Sequence, residues 1–240
     1  MAEVVDRDWE EFKAKFNVKS QIDLNQYKPA QMQRRIMNLM TRHNVSKYMD
    51  FLALINKDEA LFRYFIDYLT INVTEFFRTP EKFVELEQKV IPDLMKQNPG
   101  KLKIWSAGCS TGAEPYSMSI MMSDLTPRLK HPILASDLDV KMLAKAKEGI
   151  YHVNELKNVS PPRLTKYFKQ VDTERYAVTP EVKTEITFKH HNLLLDKYDS
   201  NFDLISCRNV VIYFTEDAKD KLYRRFLEAL RPGGVLFVGG

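Results

Sequence analysis

The residues with the plainest chemical purpose lie in IWSAGCSTGAEP, residues 104–115, where an apolar run ends in Gly108 and Gly112 and a helix-forming stretch follows. A glycine turn after a strand lets the backbone come close to a ligand at the carboxyl end of a parallel sheet. The spacing is GxxxG, which differs from the GxGxxG that cradles a pyrophosphate. Glu114, in the first helical turn, is a poor neighbour for a phosphate and a good one for an ammonium group. Asp137 closes the next apolar run, ILASD, twenty-five residues after Gly112. From that place an acid accepts hydrogen bonds from ribose hydroxyls, although an Asp at a strand end is also a fitting turn or helix cap. A tight turn, an acid for an amine and an acid for a ribose together describe S-adenosylmethionine, an amino acid at one end and an adenosine at the other.

A third stretch, CRNVVIYF at residues 207–214, ends a further apolar run and places Tyr213 to reach the same crevice. Methyltransferases that act on amino nitrogens often carry Asn or Asp followed by two prolines and an aromatic here, and that motif is missing, which favours an oxygen acceptor. Cys109 and Cys207 read as small buried residues at strand ends.

These residues need a parallel sheet to bring them to one edge. After Asn98-Pro99-Gly100 the chain alternates strand and helix: LKIWSAG, a helix from Glu114 to Leu125, PILASD, a helix from Val140 to Ala146, then EITFKHHN, FDLISCRN, a helix from Glu216 to Leu230, and GGVLFVG. That alternation predicts an α/β fold with a doubly wound sheet. Within Gly149 to Thr184 a helix starting at Ser160-Pro161-Pro162 and an antiparallel pair, 175–179 with 182–188, predict a small β insertion at about 155–188. From Asp6 to about Thr70 the apolar spacing is helical throughout, predicting a small all-helical domain. Its helix from Lys28 to His43 starts with Pro29, which a first turn tolerates. Lys28, Arg35 and Arg42 recur every seven residues on one outward stripe beside a seam of Met32, Ile36, Leu39 and Met40. The expected domains are 1–72, helical; 73–98, linker and leading helix; and 99–240, ligand-binding.

Composition narrows the function classes. Of 240 residues, 44% are hydrophobic and 28% charged, with only 19 glycines and prolines, so the chain is globular and not low-complexity. No apolar run reaches the ~20 residues of a membrane span and no secretory signal opens the chain. Two cysteines and five scattered histidines suit neither a disulfide framework nor a metal site. The net charge of +4 is uneven: residues 12–47 carry +7 and the rest −3. That segment reads as a docking face for an acidic partner or as a solvated helix face. Few aromatics are interleaved with its lysines and arginines, which argues against nucleic acid.

In combination, TINVTEFFR (70–78), IWSAGCSTGAEPYS (104–117), ILASDLD (133–139), HNLL (191–194) and CRNVVIYF (207–214) resemble the bacterial chemotaxis receptor methyltransferases, the CheR family, over nearly the whole chain. The resemblance implies a Rossmann-like S-adenosylmethionine-dependent methyltransferase domain behind a helical receptor-docking domain. It implies a cytoplasmic monomer that methylates glutamate side chains on the helical bundle of chemoreceptors, without metal, nucleic acid or membrane insertion. Asn72, Thr74 and Arg78 would close over the cofactor, with Gly108 in the turn, Glu114 on the methionine amine and Asp137 on the ribose. Asn192 and Leu193 would hold the adenine, with Asn209 and Val210 on the cofactor's other side. Arg78 and Tyr213 would orient the acceptor, Lys28, Arg34, Arg35 and Arg42 would meet the receptor, and in some members the β insertion tethers the receptor's tail. The family's sheet continues beyond the fifth strand, whereas this sequence stops at Gly240, so those last strands are expected to be absent. The alternative function is a cofactor-binding, receptor-docking scaffold with little turnover.

Overall fold

A computed structural model describes residues 7–69 and 74–239. The chain divides into two compact units, residues 1–71 with 211–221, and residues 72–210 with 222–240.

In the first unit, α1 (Arg7–Ser20), α2 (Pro29–Arg42), α3 (Tyr48–Lys57) and α4 (Glu59–Leu69) pack around aromatic side chains. Phe12, Phe16, Phe51 and Phe65 are fully buried, with Phe65 edge-on to Phe16 and to Phe51 at 5.2 Å each. The buried seam of α2 is Met32, Ile36, Leu39 and Met40, as its spacing predicts. Helix starts are set partly from a distance. Asp58 caps α4 by accepting from the N–H groups of Ala60 and Leu61, whereas α3 is capped by Asp8 of α1, whose carboxylate accepts from Tyr48 N at 2.7 Å and Met49 N at 3.2 Å. The turn Val211–Tyr213 belongs to this unit. Lys28 N donates to the Tyr213 carbonyl at 2.9 Å, and Phe214 meets the Tyr27 ring edge-on at 5.1 Å.

The second unit begins with α5 (Pro80–Glu85), a π-turn at Leu86–Val90, and α6 (Ile91–Gln97). Pro92 lacks the N–H that would close on the carbonyl four residues earlier, and the π-turn takes up that mismatch. The strands and helices that follow are β1 (Ile104–Ala107), α7 (Ala113–Leu125), β2 (Ile133–Asp137), α8 (Val140–Glu148), β3 (Ile150–His152), α9 (Pro161–Tyr167), β4 (Phe168–Gln170), β5 (Arg175–Val178), α10 (Pro180–Lys183), β6 (Ile186–His190), β7 (Phe202–Cys207), α11 (Glu216–Ala229) and β8 (Leu230–Val238). Five strands form one parallel sheet in the order β6-β2-β1-β7-β8. The chain leaves β1 towards β2 on one side and reaches β7 on the other, so the switch in strand order lies beside β1. Ligands bind in the crevice that opens there. Every residue of β1 and β7 is buried, as expected of strands covered on both faces. Trp105 of β1 is fully buried, and its indole N–H donates to Ser136 Oγ of β2 at 2.8 Å.

The small sheet differs from the expected pair. Its order is β3-β5-β4, all antiparallel, so 175–178 pairs with 150–152 and 168–170. Residues 182–188 are divided between α10 and β6, and β6 joins the parallel sheet beside β2. Two β strands of similar composition are indistinguishable to a local pattern, and register with β2, from Ile133↔Ile186 to Asp137↔His190, decides the matter.

Candidate functional site

The turn after β1 has an unusual backbone. Gly108 has φ 83°, Ser110 φ 47° and Gly112 φ 88°. A Cβ on Gly108 would stand 2.4 Å from Val210 Cγ2, and one on Gly112 would stand 2.8 Å from Ala146 Cβ. Both glycines are therefore required by space as well as by φ. The Asp137 carboxylate holds the turn open by accepting from Ser110 N at 2.7 Å and from Asp139 N at 2.9 Å. Burial pushes its pKa up, against those two backbone donors. A carboxylate offers about four lone-pair sites, so acceptor capacity remains for hydroxyls. Asp139 in turn caps α8, accepting from Lys141 N and Met142 N.

Glu114, in the first turn of α7, accepts from Ser106 Oγ at 2.8 Å, and its other oxygen lies 3.7 Å from Arg208 Nη1. Burial pushes its pKa up, opposed by Arg208, by the Ser106 and Ser206 hydroxyls and by Arg78. The sequence reading passed over Arg208, the charged residue that directly follows the wholly buried strand β7. Its side chain is 4% exposed, and its guanidinium lies 4.8 Å from the Phe237 ring and 5.7 Å from the Phe83 ring. The signal that could have found it is a cation at the end of an apolar strand, next to Asn209. Cys109 and Cys207 are both buried, and their thiol pKa values are raised, first by burial and then by the charges of Glu114 and Asp137.

Asn72 lies outside the described residues. The segment that follows it is pinned by its aromatics. Phe76 is fully buried against Tyr151 at 4.8 Å and Phe168 at 5.1 Å, and Phe77 N donates to Ser117 Oγ of α7 at 2.9 Å. Phe77 and Thr79 have φ of 48° and 60°, so Arg78 is presented between two residues in the left-handed region, a strained backbone over-determined by its packing. Arg78 acts electrostatically on both Glu114 and Arg208. Thr74 is half-buried just upstream.

At the end of β6, Asn192 shapes a tight turn: its side-chain oxygen accepts from Leu194 N at 2.9 Å and its N–H donates to Asp196 at 2.8 Å. Leu193 is buried. After β7, Asn209 has φ 59° and Val210 fills the space left by Gly108. Tyr213 groups with the helical unit. In that unit Arg34 and Arg42 are exposed, while Lys28 is half-buried as the N-cap of α2 and lies outside the helix itself. Arg35 is half-buried as well, against the expected outward stripe. It donates to the Tyr68 carbonyl and lies over the Tyr68 ring at 4.8 Å, because α4 packs beside α2 and supplies an acceptor there.

Two family descriptions match the chain: the CheR methyltransferase all-alpha domain over residues 7–70 and the CheR methyltransferase SAM-binding domain over residues 72–240. The chain belongs to the CheR methyltransferase family. Among its relatives, the chemotaxis protein methyltransferase of Listeria monocytogenes is 41% identical over 220 residues, covering 91% of this chain and 83% of that one. Chemotaxis protein methyltransferase 1 of Pseudomonas aeruginosa is 35% identical, covering 97% and 88%. The chemotaxis protein methyltransferase of Escherichia coli is 33% identical, covering 91% and 78%.

The sheet unit is thus the S-adenosylmethionine-binding domain of a CheR methyltransferase, and its residues fit that cofactor. Glu114 is a half-buried acid beside the glycine turn, and Asp137 is an acid with spare acceptor capacity at the end of the neighbouring strand. Gly108 gives the turn its left-handed backbone, and Val210 packs where a side chain at that position would stand. Among the described residues no cluster of three or more His, Cys, Asp or Glu could hold a metal ion, and no helix is long and apolar enough to cross a membrane.

Proposed function

We propose that this CheR methyltransferase forms glutamate methyl esters on the cytoplasmic helical bundle of chemoreceptors. The observation that carries the reading is the pair of carboxylates around the glycine turn, Glu114 in the first turn of α7 and Asp137 at the end of β2, in a chain that matches the family along both units. S-adenosylmethionine supplies an electrophilic methyl group, and its departure leaves a neutral thioether. The acceptor needs no general base. A glutamate with a pKa of ~4.3 is already an oxyanion at neutral pH, and no histidine or lysine has to take a proton from it. What the protein must supply is alignment, worth up to ~7–11 kcal/mol when nucleophile and electrophile are held in line.

In this reading Glu114 takes the cofactor's ammonium, Asp137 the ribose hydroxyls, and the turn at Asn192-Leu193 the adenine. Asn209 and Val210 border the cofactor's other side, with Asn72 and Thr74 closing over it. Arg78 orients the acceptor carboxylate and Tyr213 lines the substrate opening. Arg34 and Arg42, exposed and basic, meet the acidic receptor surface, together with Lys28 and Arg35. The β3-β5-β4 sheet is the candidate tether for a receptor-tail peptide, and the enzyme works as a monomer.

The test uses S-adenosylmethionine with a labelled methyl group and receptor cytoplasmic fragments. The expected result is label that alkali releases as methanol and that disappears when the acceptor glutamates are changed to alanine. Label that survives alkali, as on a nitrogen, would overturn the ester assignment.

A further inference from the structure

Arg208 is a buried cation directly after β7, its side chain 4% exposed, and its guanidinium is incompletely paired. Its Nε has no hydrogen-bond partner, and Glu114 stands at 3.7 Å, beyond direct hydrogen bonding. The guanidinium lies near Phe237 and Phe83. The backbone beneath it is also tightly held: a Cβ on Gly239 would meet Asn209 N at 3.0 Å and Arg208 Cα at 3.5 Å. A buried charge costs several kcal/mol unless something compensates it. This one is kept, immobilised by packing, next to the acid that a zwitterionic ligand must meet.

We infer that Arg208 is a positioning residue for the cofactor's amino-acid end, holding the Glu114 carboxylate ionised and aimed so that it presents a full negative charge to the ligand's ammonium group. This rests on the S-adenosylmethionine reading of the site and adds to it the residue that sets the charge of its amine subsite. Buried carboxyls otherwise tend towards the neutral acid, a much weaker partner for an ammonium. The groups facing Glu114 are Ser106 of β1, Ser206 of β7, Arg208 after β7 and Arg78 before α5. The Cys109 and Cys207 thiols, also nearby, stay neutral, and Asp137 and Glu81 complete the charged surroundings. Arg208 opposes the burial of the Glu114 charge more strongly than Arg78 does.

The experiment is titration calorimetry with two probes, S-adenosylhomocysteine and 5′-methylthioadenosine, which lacks the amino-acid end. Parent protein, R208K and R208M are compared between pH 6 and pH 8, with thermal melts to verify folding. For R208M, S-adenosylhomocysteine affinity should fall about tenfold or more at pH 6, the effect of one pKa unit, and recover as pH rises. Binding at pH 6 should release a proton, seen by comparing buffers of different ionisation enthalpy. Methylthioadenosine should bind as to the parent, and R208K should restore both affinity and pH profile. If R208M does not fold, R208Q, which keeps a polar head without charge, is measured the same way. Equal losses for both probes, a loss independent of pH, or failure of R208K to rescue would overturn the role. Failure of the parent to bind either probe would instead overturn the S-adenosylmethionine reading itself.

Discussion

The helical unit and the sheet unit treat charge in opposite ways. Around Phe12, Phe16, Phe51 and Phe65 the helical unit builds an aromatic interior, and Arg34 and Arg42 stay in water. The sheet unit places Asp137 at the end of β2, Arg208 directly after β7 and Glu114 in the first turn of α7, and burial shifts the pKa of each towards its neutral form. Burying charge lowers stability, and an interior made only for stability would replace these groups with apolar ones. Exposed charges of the helical unit contribute little to stability, which leaves them available for long-range attraction.

The contrast can be broken most severely at the aromatic interior. Phe65→Ala should cost ~3–5 kcal/mol of unfolding free energy, read by denaturant melts, while folded protein retains its S-adenosylhomocysteine affinity; a parallel loss of affinity would mean that the helical interior also shapes the pocket. Asp137→Ala acts on both stability and binding. It leaves the Ser110 and Asp139 N–H groups without their acceptor, at about 1–3 kcal/mol for each one that stays unsatisfied, and it should abolish calorimetric binding. Gly108→Ala forces a Cβ onto Val210 at positive φ and should cost about 1–3 kcal/mol, with affinity falling too because the turn must shift.

A pH series sharpens the comparison. Because the Glu114 pKa is raised in the folded protein, affinity for S-adenosylhomocysteine should weaken as pH falls through that raised value, and Glu114→Gln should flatten the profile. The effect on stability has the other sign. Between the ordinary glutamate value and the raised one, the folded state binds more protons than the unfolded state, so this group's contribution favours folding at lower pH and is lost as pH rises. Smallest for stability is the charge reversal R34E/R42E, within about ±0.5 kcal/mol. Receptor methylation should nevertheless slow, with a reduced dependence on salt, while cofactor affinity stays constant. Arg35 is the poorer choice for that test, since its bond to the Tyr68 carbonyl gives it a packing role within the helical unit.

The sequence by itself determined the elements and the chemistry of single positions. Helix period fixed the seam of α2, apolar runs fixed five strands in order, and glycine spacing with Glu114 and Asp137 pointed to an amine-and-ribose ligand, because each of these is a local property of a short stretch. Only the tertiary structure decided which strand 175–178 would pair with, that Asp8 would cap a helix forty residues away, and that Arg35 would turn inward to Tyr68. It also decided that Arg208 would lie buried beside Glu114. Strand pairing is settled by competition among distant partners, and the meaning of a charge by whether its neighbours exclude water, and neither is written in the residues next to it.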